Sequence, residues 1–384
     1  MVHVAALLLG CATPGAERAE TRDPVVEQAR ALLVSRHPAG DRLATVPLPE
    51  GSSRRARIEA LLARLGDPST RLIAAEDWPS FLAEVSGQPT VGVGLRELLD
   101  LDLAPDGRLV VITTQPGGPA ARAGLAPGDV LQAIDGQPPG TLTEAMRRLR
   151  GPAGTDVQLT LRGSGGSRTV TLRRQMLLAD ADGRGDHVRA GKTSNVLQLA
   201  LDGFSPGTPA TVERALAWGG GSPVVLDLRN NPGGAVDSAL AVAGLFVGAR
   251  DVARAVGRLE GNVLRSTGES RVEDKVAVLV NEGTASAAEL LALALRERGR
   301  ARLFGQRTAG KALVHVPSPL DDGSVLLISA ARLVRMDGGE LLGRGLGPDV
   351  PVPWPQSVHP PLEVPGAAEG DPQLAAALRW LASG

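Results

Sequence analysis

Apolar residues recur along this chain with three different rhythms, and the changes of rhythm divide it. Over residues 24–87 the spacing is helical. Val25 to Val34 and Arg54 to Leu65 each carry apolar side chains at intervals that fall on one helix face. Gly66-Asp67-Pro68 then stops the second helix, glycine supplying the left-handed turn and proline blocking continuation. Over residues 88–176 the apolar runs shorten to strand length: Leu109-Val-Val-Ile112, Val130-Leu-Gln-Ala-Ile134 and Val157-Gln-Leu-Thr-Leu161, parted by turns rich in Gly, Pro and Asp. From residue 177 onward the pattern changes again. Pro223-Val-Val-Leu-Asp-Leu228 and Val276-Ala-Val-Leu-Val280 are continuously apolar, which suits strands buried on both faces of a sheet. Helix-like stretches, Ala235 to Val247 and Ala285 to Arg298 ending at Gly299, alternate with them and predict an α/β layered unit. No repeat of solenoid period is present.

Composition narrows the function classes. The 384 residues are 43% hydrophobic with a net charge of −1, as for a soluble globular protein, and offer no basic surface for nucleic acid. Aromatic residues make up 2% and tyrosine is absent, which removes the platforms on which single-stranded bases stack. No spacing of His, Cys and acidic residues suits zinc, and no phosphate loop is present. No cofactor is implied. Only three lysines, Lys192, Lys275 and Lys311, accompany the many arginines. A lysine can shed its proton when buried, whereas arginine cannot.

The first residues, Met-Val-His-Val-Ala-Ala-Leu-Leu-Leu-Gly-Cys11, hold an apolar run too short to span a bilayer. It reads as the end of a signal peptide. Leu8-Leu9-Gly10-Cys11 resembles a bacterial lipobox, in which Cys11, the only cysteine, would be lipidated. No Lys or Arg precedes the run, which departs from that pattern. Residues 1–23 are expected to form this signal-like segment and a small, polar tether.

The chemistry-bearing residues cluster late in the chain. Asn281-Glu-Gly-Thr-Ala-Ser-Ala-Ala-Glu289 follows an apolar strand-like run and brings Ser286 to the start of an apolar helix. Ser286-Ala-Ala-Glu289 also fits a helix capping box, so taken alone the serine reads more readily as a cap than as a nucleophile. A helix N-terminus favours developing negative charge. Lys311, after Gly310 and before Ala312-Leu-Val314, could act as general base if burial lowered its pKa. Asp227-Leu-Arg-Asn-Asn-Pro-Gly-Gly234 follows another buried strand, with glycines that let a backbone approach a substrate closely.

These segments, taken in order, resemble the carboxyl-terminal processing peptidases, or tail-specific proteases. Leu65-Gly-Asp-Pro-Ser-Thr-Arg-Leu72, Leu320-Asp-Asp-Gly-Ser to Arg332, Gly345-Leu-Gly-Pro-Asp-Val350 and the segment from Asp371 to Leu381 add further matches. Gly117-Gly-Pro-Ala120, Ala123-Gly-Leu125, Gly128-Asp-Val-Leu131 and Ile134-Asp-Gly136 follow the order of a bacterial PDZ domain, with Thr141 to Arg150 as its helix. Val91-Gly-Val-Gly-Leu95 matches the carboxylate-binding loop, whose Val93, Gly94 and Leu95 would bind a peptide end by β-augmentation.

The resemblance implies an α/β fold with a crotonase-like peptidase core over residues 177–384, a PDZ β-barrel-like domain over 88–176 and a helical region over 24–87. It implies Ser286 as nucleophile, Lys311 as base, and an oxyanion hole from the N–H of Ala287 with Gly233 or Gly234, the first glycine by the family pattern. Two flanks of the lysine depart from the family, Ala309 and Ala312 standing for Phe and Gly. His315 stands where the family often has Gln. It could orient the lysine, act as base itself, or have no role. The implied partners are proteins or peptides with apolar C-terminal tails, together with an activator or adaptor protein if the enzyme is gated. The implied place is the bacterial cell envelope, periplasmic or anchored to a membrane through Cys11. A peptide-binding module with a degenerate core, and an acyl-transfer hydrolase on the same core, are the competing readings.

Overall fold

The computed structural model describes residues 23–49, 52–85, 88–96, 100–103, 107–115, 117–163, 165–177, 188–193, 195–258, 263–299, 301–354 and 370–383. Cys11 and the segment around it lie outside these residues. No described helix is long and apolar enough to cross a membrane.

The N-terminal region begins with α1 (Pro24–Arg36), a 3₁₀ turn at Gly40–Leu43, and α2 (Arg54–Leu65). Asp23 and Ser53 cap the two helices through their side chains, and Gly66 ends α2 at φ +68°, as the Gly-Asp-Pro string predicts. The helical expectation for this whole stretch is incomplete. A three-residue strand, β1 (Arg71–Ile73), and α3 (Trp78–Val85) follow. Three residues carry no readable periodicity; Arg71–Ile73 is a strand because it pairs with Leu327–Val325 in the distant part of the chain.

The PDZ region holds β2 (Thr90–Gly92), β3 (Leu101–Leu103), β4 (Leu109–Val111), α4 (Pro119–Arg122), β5 (Val130–Ile134), α5 (Leu142–Leu149), β6 (Asp156–Gly163), β7 (Gly166–Arg173) and β8 (Gln175–Leu177). Strands β3 to β7 make one sheet with β3 at its edge, and β2 pairs with β8. Thr141 and Glu144 close a reciprocal capping box on α5, whose buried Leu142, Ala145, Met146 and Leu149 fill the domain's own core.

The remaining elements are β9 (Val188–Thr193), β10 (Val196–Leu201), α6 (Thr208–Gly219), β11 (Val224–Asp227), α7 (Val236–Val247), β12 (Asp251–Gly257), β13 (Val263–Arg265), β14 (Val276–Val280), α8 (Ala287–Glu297), β15 (Ala301–Gly305), β16 (Leu313–Pro319), β17 (Val325–Arg335), β18 (Val350–Pro351) and α9 (Pro372–Ala382). Six of the strands form a sheet in the order β18-β15-β14-β11-β10-β9. All its pairings are parallel except β10 with β9. The continuous apolar runs are explained by covering on both faces. Val276, Val278 and Val280 of β14 join the core under α7 and α8, while Ala277 and Leu279 face α9 with Leu374 and Ala377. A second sheet is built on the long β17, flanked by β16 on one side and by β1 and β12 on the other.

A buried polar knot joins the N-terminal region to this second sheet. Asp67 accepts from Thr70 Oγ1 (2.6 Å) and from the Ser69 N–H (2.9 Å). Its Oδ2 is also 3.1 Å from His37 Nε2. Ala39 N–H donates to His37 Nδ1, which leaves the ring proton on Nε2 for Asp67. Thr70 Oγ1 in turn accepts from the Ser329 N–H of β17. Burial by itself would raise the Asp67 pKa, but the donors from His37, Thr70 and Ser69 outweigh it and hold the carboxyl well below its ordinary value of 3.8. A carboxylate depressed in this way stabilises the fold above pH 3.8 and releases that stability as the solution is acidified below it. Asp67→Asn is therefore expected to lower stability by about 1–2 kcal/mol near neutral pH. The gap to the parent should narrow in unfolding curves taken at progressively lower pH; a gap that does not depend on pH would remove the charge from the argument.

Candidate active site

Strands β11, β14 and β15 lie side by side and parallel, so their C-terminal ends open at one edge of the sheet. This is where open α/β sheets present their loops to ligands. β11 delivers the glycine loop 228–235, β14 delivers the turn into α8, and β15 delivers the loop that carries Lys311.

Ser286 stands at the N-terminus of α8 with φ +54° and ψ −120°. An ordinary N-cap is extended and has negative φ. A non-glycine residue in this region costs on the order of 1–3 kcal/mol, strain that clusters at functional sites. The capping-box reading thus captures only part of the geometry. Glu289 does reach back to the Ser286 N–H at 3.0 Å, yet its role extends much further.

Glu289 is 1% exposed. Its Oε2 accepts from the N–H of Ser286 (3.0 Å) and from the N–H of Lys311 (2.9 Å). Its Oε1 accepts from Thr308 Oγ1 (2.5 Å) and from the Gly310 N–H (2.8 Å). One carboxylate oxygen therefore bridges the serine turn and the lysine turn. The two amide nitrogens cannot be further apart than those two bonds laid end to end, which is within the reach of a lysine side chain. Burial pushes the Glu289 carboxyl above its ordinary value of 4.5, while the four donors pull against that shift. Thr308 passes the link on, its Oγ1 accepting from the Leu346 N–H at 2.7 Å. The serine motif, the Thr308-to-Lys311 segment and the Gly345-to-Val350 segment are so joined through two side chains.

The glycine loop is locked to the serine turn by a second network. Asn230, at φ +57°, and Asn281 bond reciprocally: Asn281 Oδ1 accepts from the Asn230 N–H and Asn281 Nδ2 donates to Asn230 Oδ1, each at 2.8 Å. Asn231, wholly buried, donates Nδ2 to the Leu201 carbonyl (2.9 Å) and accepts the Gly233 N–H at Oδ1 (2.9 Å). Its own carbonyl accepts from the Ala285 N–H.

Gly233, at φ +106°, packs so closely that a Cβ there would lie 2.9 Å from Ser286 Cβ and 3.0 Å from the Ala287 nitrogen. The Gly233 carbonyl accepts from the Phe204 N–H. The trans peptide therefore points the Gly234 N–H away from Phe204.

Beneath the loop, Arg229 grips Asp227 through several guanidinium bonds and meets Asp371, the cap of α9, at 2.8 Å. It also lies over the Trp354 ring. Burial alone would lower the Arg229 pKa, but the two carboxylates outweigh it and raise it. The guanidinium stays charged and clamps α9 to the end of β11.

Lys311 and His315 are both half-buried. Lys311 precedes β16, and His315 lies on β16 opposite Ser329, next to a register shift between Val314 and His315. The sequence patterns single out Ser286, Lys311 and the glycines as candidates, but they do not reveal Asn231, Thr308 or the reach of Glu289 to the lysine turn.

At the PDZ loop, Val93 and Leu95 turn their side chains into the domain core, 1% and 5% exposed, and Gly94 adopts φ +83°. The carbonyls of Val93 and Gly94 are taken by the N–H groups of Ala120 and Gln115. Asp100 then ends the loop, accepting both the N–H and the guanidinium of Arg96.

A family model described as peptidase family S41 matches residues 196–352, and one described as a PDZ domain matches residues 110–163. The "Carboxyl-terminal-processing protease" of Synechocystis sp. is 32% identical over 349 residues, 88% of this chain and 79% of that protein. The "Carboxyl-terminal-processing peptidase 2, chloroplastic" of Arabidopsis thaliana is 34% identical, over 77% of this chain and 60% of its own length. A solved photosystem II D1 C-terminal processing protease superposes with a TM-score of 0.75 at 27% identity, covering 86% of this chain and 92% of that one. The chain belongs to peptidase family S41, as a serine peptidase that carries a PDZ domain and is related to the carboxyl-terminal-processing proteases.

Proposed function

We propose that this peptidase cleaves proteins near apolar C-terminal tails through a Ser286–Lys311 dyad. The observation that carries the reading is the single Glu289 oxygen accepting from the backbones of both residues. The Lys311 amine takes the Ser286 hydroxyl proton as the oxygen attacks the scissile carbonyl, and the same proton then leaves with the departing amine. Water, deprotonated in its turn by the lysine, attacks the acyl-enzyme carbonyl, and the lysine returns that proton to the departing Ser286 oxygen. Donors for the oxyanion are the Ala287 N–H and, in preference to Gly233, the Gly234 N–H, because Asn231 engages the Gly233 N–H.

The PDZ loop Val93-Gly94-Leu95 captures the substrate's terminal carboxylate and raises the local concentration of cleavable chain. We take residues 24–87, 88–176 and 177–384 as the three units, the last of them crotonase-like, a reading supported by its parallel sheet. The cell envelope is the proposed location, with Cys11 as a lipid anchor. His315 is proposed to orient the lysine. His315→Gln should keep cleavage within about tenfold of the parent, since glutamine can also hydrogen-bond an amine. Complete loss in that variant would instead make the histidine the base.

The test is cleavage of an unfolded reporter ending in an apolar tail, by residues 12–384 of this chain. Cleavage that requires the free carboxylate of the tail supports the reading. Tail binding by folded protein without cleavage would favour a peptide-binding module or an enzyme that needs an activator. Hydrolysis of thioesters with none of peptides would favour the acyl-transfer alternative.

A further inference from the structure

The PDZ groove does not end at the PDZ domain. β3 is an edge strand and α5 packs beside it, so the space between them is the place where an extended peptide would add to the sheet. The two ends of that groove differ. At the C-terminal end of α5, Val91, beside the carboxylate loop, shares a cleft with Arg150 and α3. At the N-terminal end the groove opens into a cavity of about 750 Å³ between the PDZ domain and α2–β1. Leu103 and Leu142 line it from the PDZ side, Leu62 and Leu72 from the N-terminal side, and Arg71 and Glu144 lie among them.

A peptide whose carboxylate sits at Val93–Leu95 runs antiparallel to β3, towards the N-terminal end of α5. The helix is 8 residues long, about 12 Å, which is spanned by about four extended residues. The next residues upstream then meet this cavity. We infer that the cavity is a second substrate subsite. It would take the side chains about five to seven positions before the substrate's C-terminus, and its partly exposed leucines, Leu62, Leu72 and Leu103, select apolar ones. The inference rests on the reading that the PDZ loop captures a free carboxyl end.

The experiment uses residues 12–384 carrying Ser286→Ala, and fluorescent peptides followed by anisotropy. A four-residue apolar tail is compared with the same tail extended upstream by Leu-rich or by Gly/Ser residues, each as free acid and as amide. The Leu-rich extension should tighten binding about tenfold, and the Gly/Ser extension should add little. Leu62→Gln, at a half-exposed position, should remove the gain while the short tail binds as before. Equal affinity of short and Leu-extended acids, with amidation weakening both, overturns the cavity and leaves the PDZ reading intact. A gain that survives Leu62→Gln also overturns it. Binding indifferent to amidation overturns the PDZ reading and this inference together.

Discussion

Ser286→Ala and Lys311→Ala are each expected to reduce reporter cleavage by at least about 10⁴-fold, since members of a nucleophile–base unit fail together. Combining the two should cost little more than either alone. Lys311→Arg separates the roles open to the lysine: it keeps the positive charge but cannot give up its proton near neutral pH. An inactive Lys311→Arg enzyme with parental substrate affinity identifies a base, whereas a substantially active one would make Lys311 an electrostatic group. Backbone strain supplies an independent readout at the serine. Because Ser286 sits at φ +54°, Ser286→Gly should be inert yet more stable by about 1 kcal/mol. An unchanged or lower melting temperature would count against strain at this position.

Removing Glu289 is the second large effect. Four donors converge on it in a site closed to water, and each donor left without a partner costs about 1–3 kcal/mol. Glu289→Ala is expected to unfold at a markedly lower temperature. Glu289→Gln preserves shape but turns an NH₂ group towards donors, loosening the serine and lysine turns against each other. A displacement of about 1 Å at a reacting centre can cost on the order of 10²-fold, so Glu289→Gln should lose about that much in kcat with KM little changed. The pH profile adds a signature that a purely structural role would not give. The Glu289 pKa is raised above 4.5, so falling pH protonates it earlier than an ordinary carboxyl and sets a hydroxyl donor against donors. The parent should therefore show, besides the limb set by protonation of its base, a second acidic limb in kcat above pH 4.5, which Glu289→Gln should lack. Persistence of that limb would assign it to another group.

Most elements could be read from the chain because their causes are local or periodic. Gly66 ends α2, Thr141 and Glu144 open α5, and the apolar Val276–Val280 run is a central strand, since capping, left-handed turns and two-faced burial leave marks in consecutive residues. β1 left no such mark. Its three residues are a strand only because β17, some 250 residues later, offers an edge, and the helical expectation for the N-terminal region missed it.

The site divides in the same way. The serine motif, the lysine turn and the glycine loop are legible as segments, because the chemistry demands particular residue types at fixed spacing. The sequence also shows Glu289 three residues after Ser286, where it looks like a cap and no more. What brings it to Lys311 is the parallel adjacency of β14 and β15, which sets two loop ends side by side and encloses one carboxylate between them. The parallel adjacency of β10 and β11 likewise sets Asn231 against the Leu201 carbonyl as a brace for the glycine loop. The sequence by itself determined which groups are available and which elements carry them. Only the tertiary structure decided which groups meet, because a hydrogen bond acts over about 3 Å and nothing in the chain records which distant loop will close that gap.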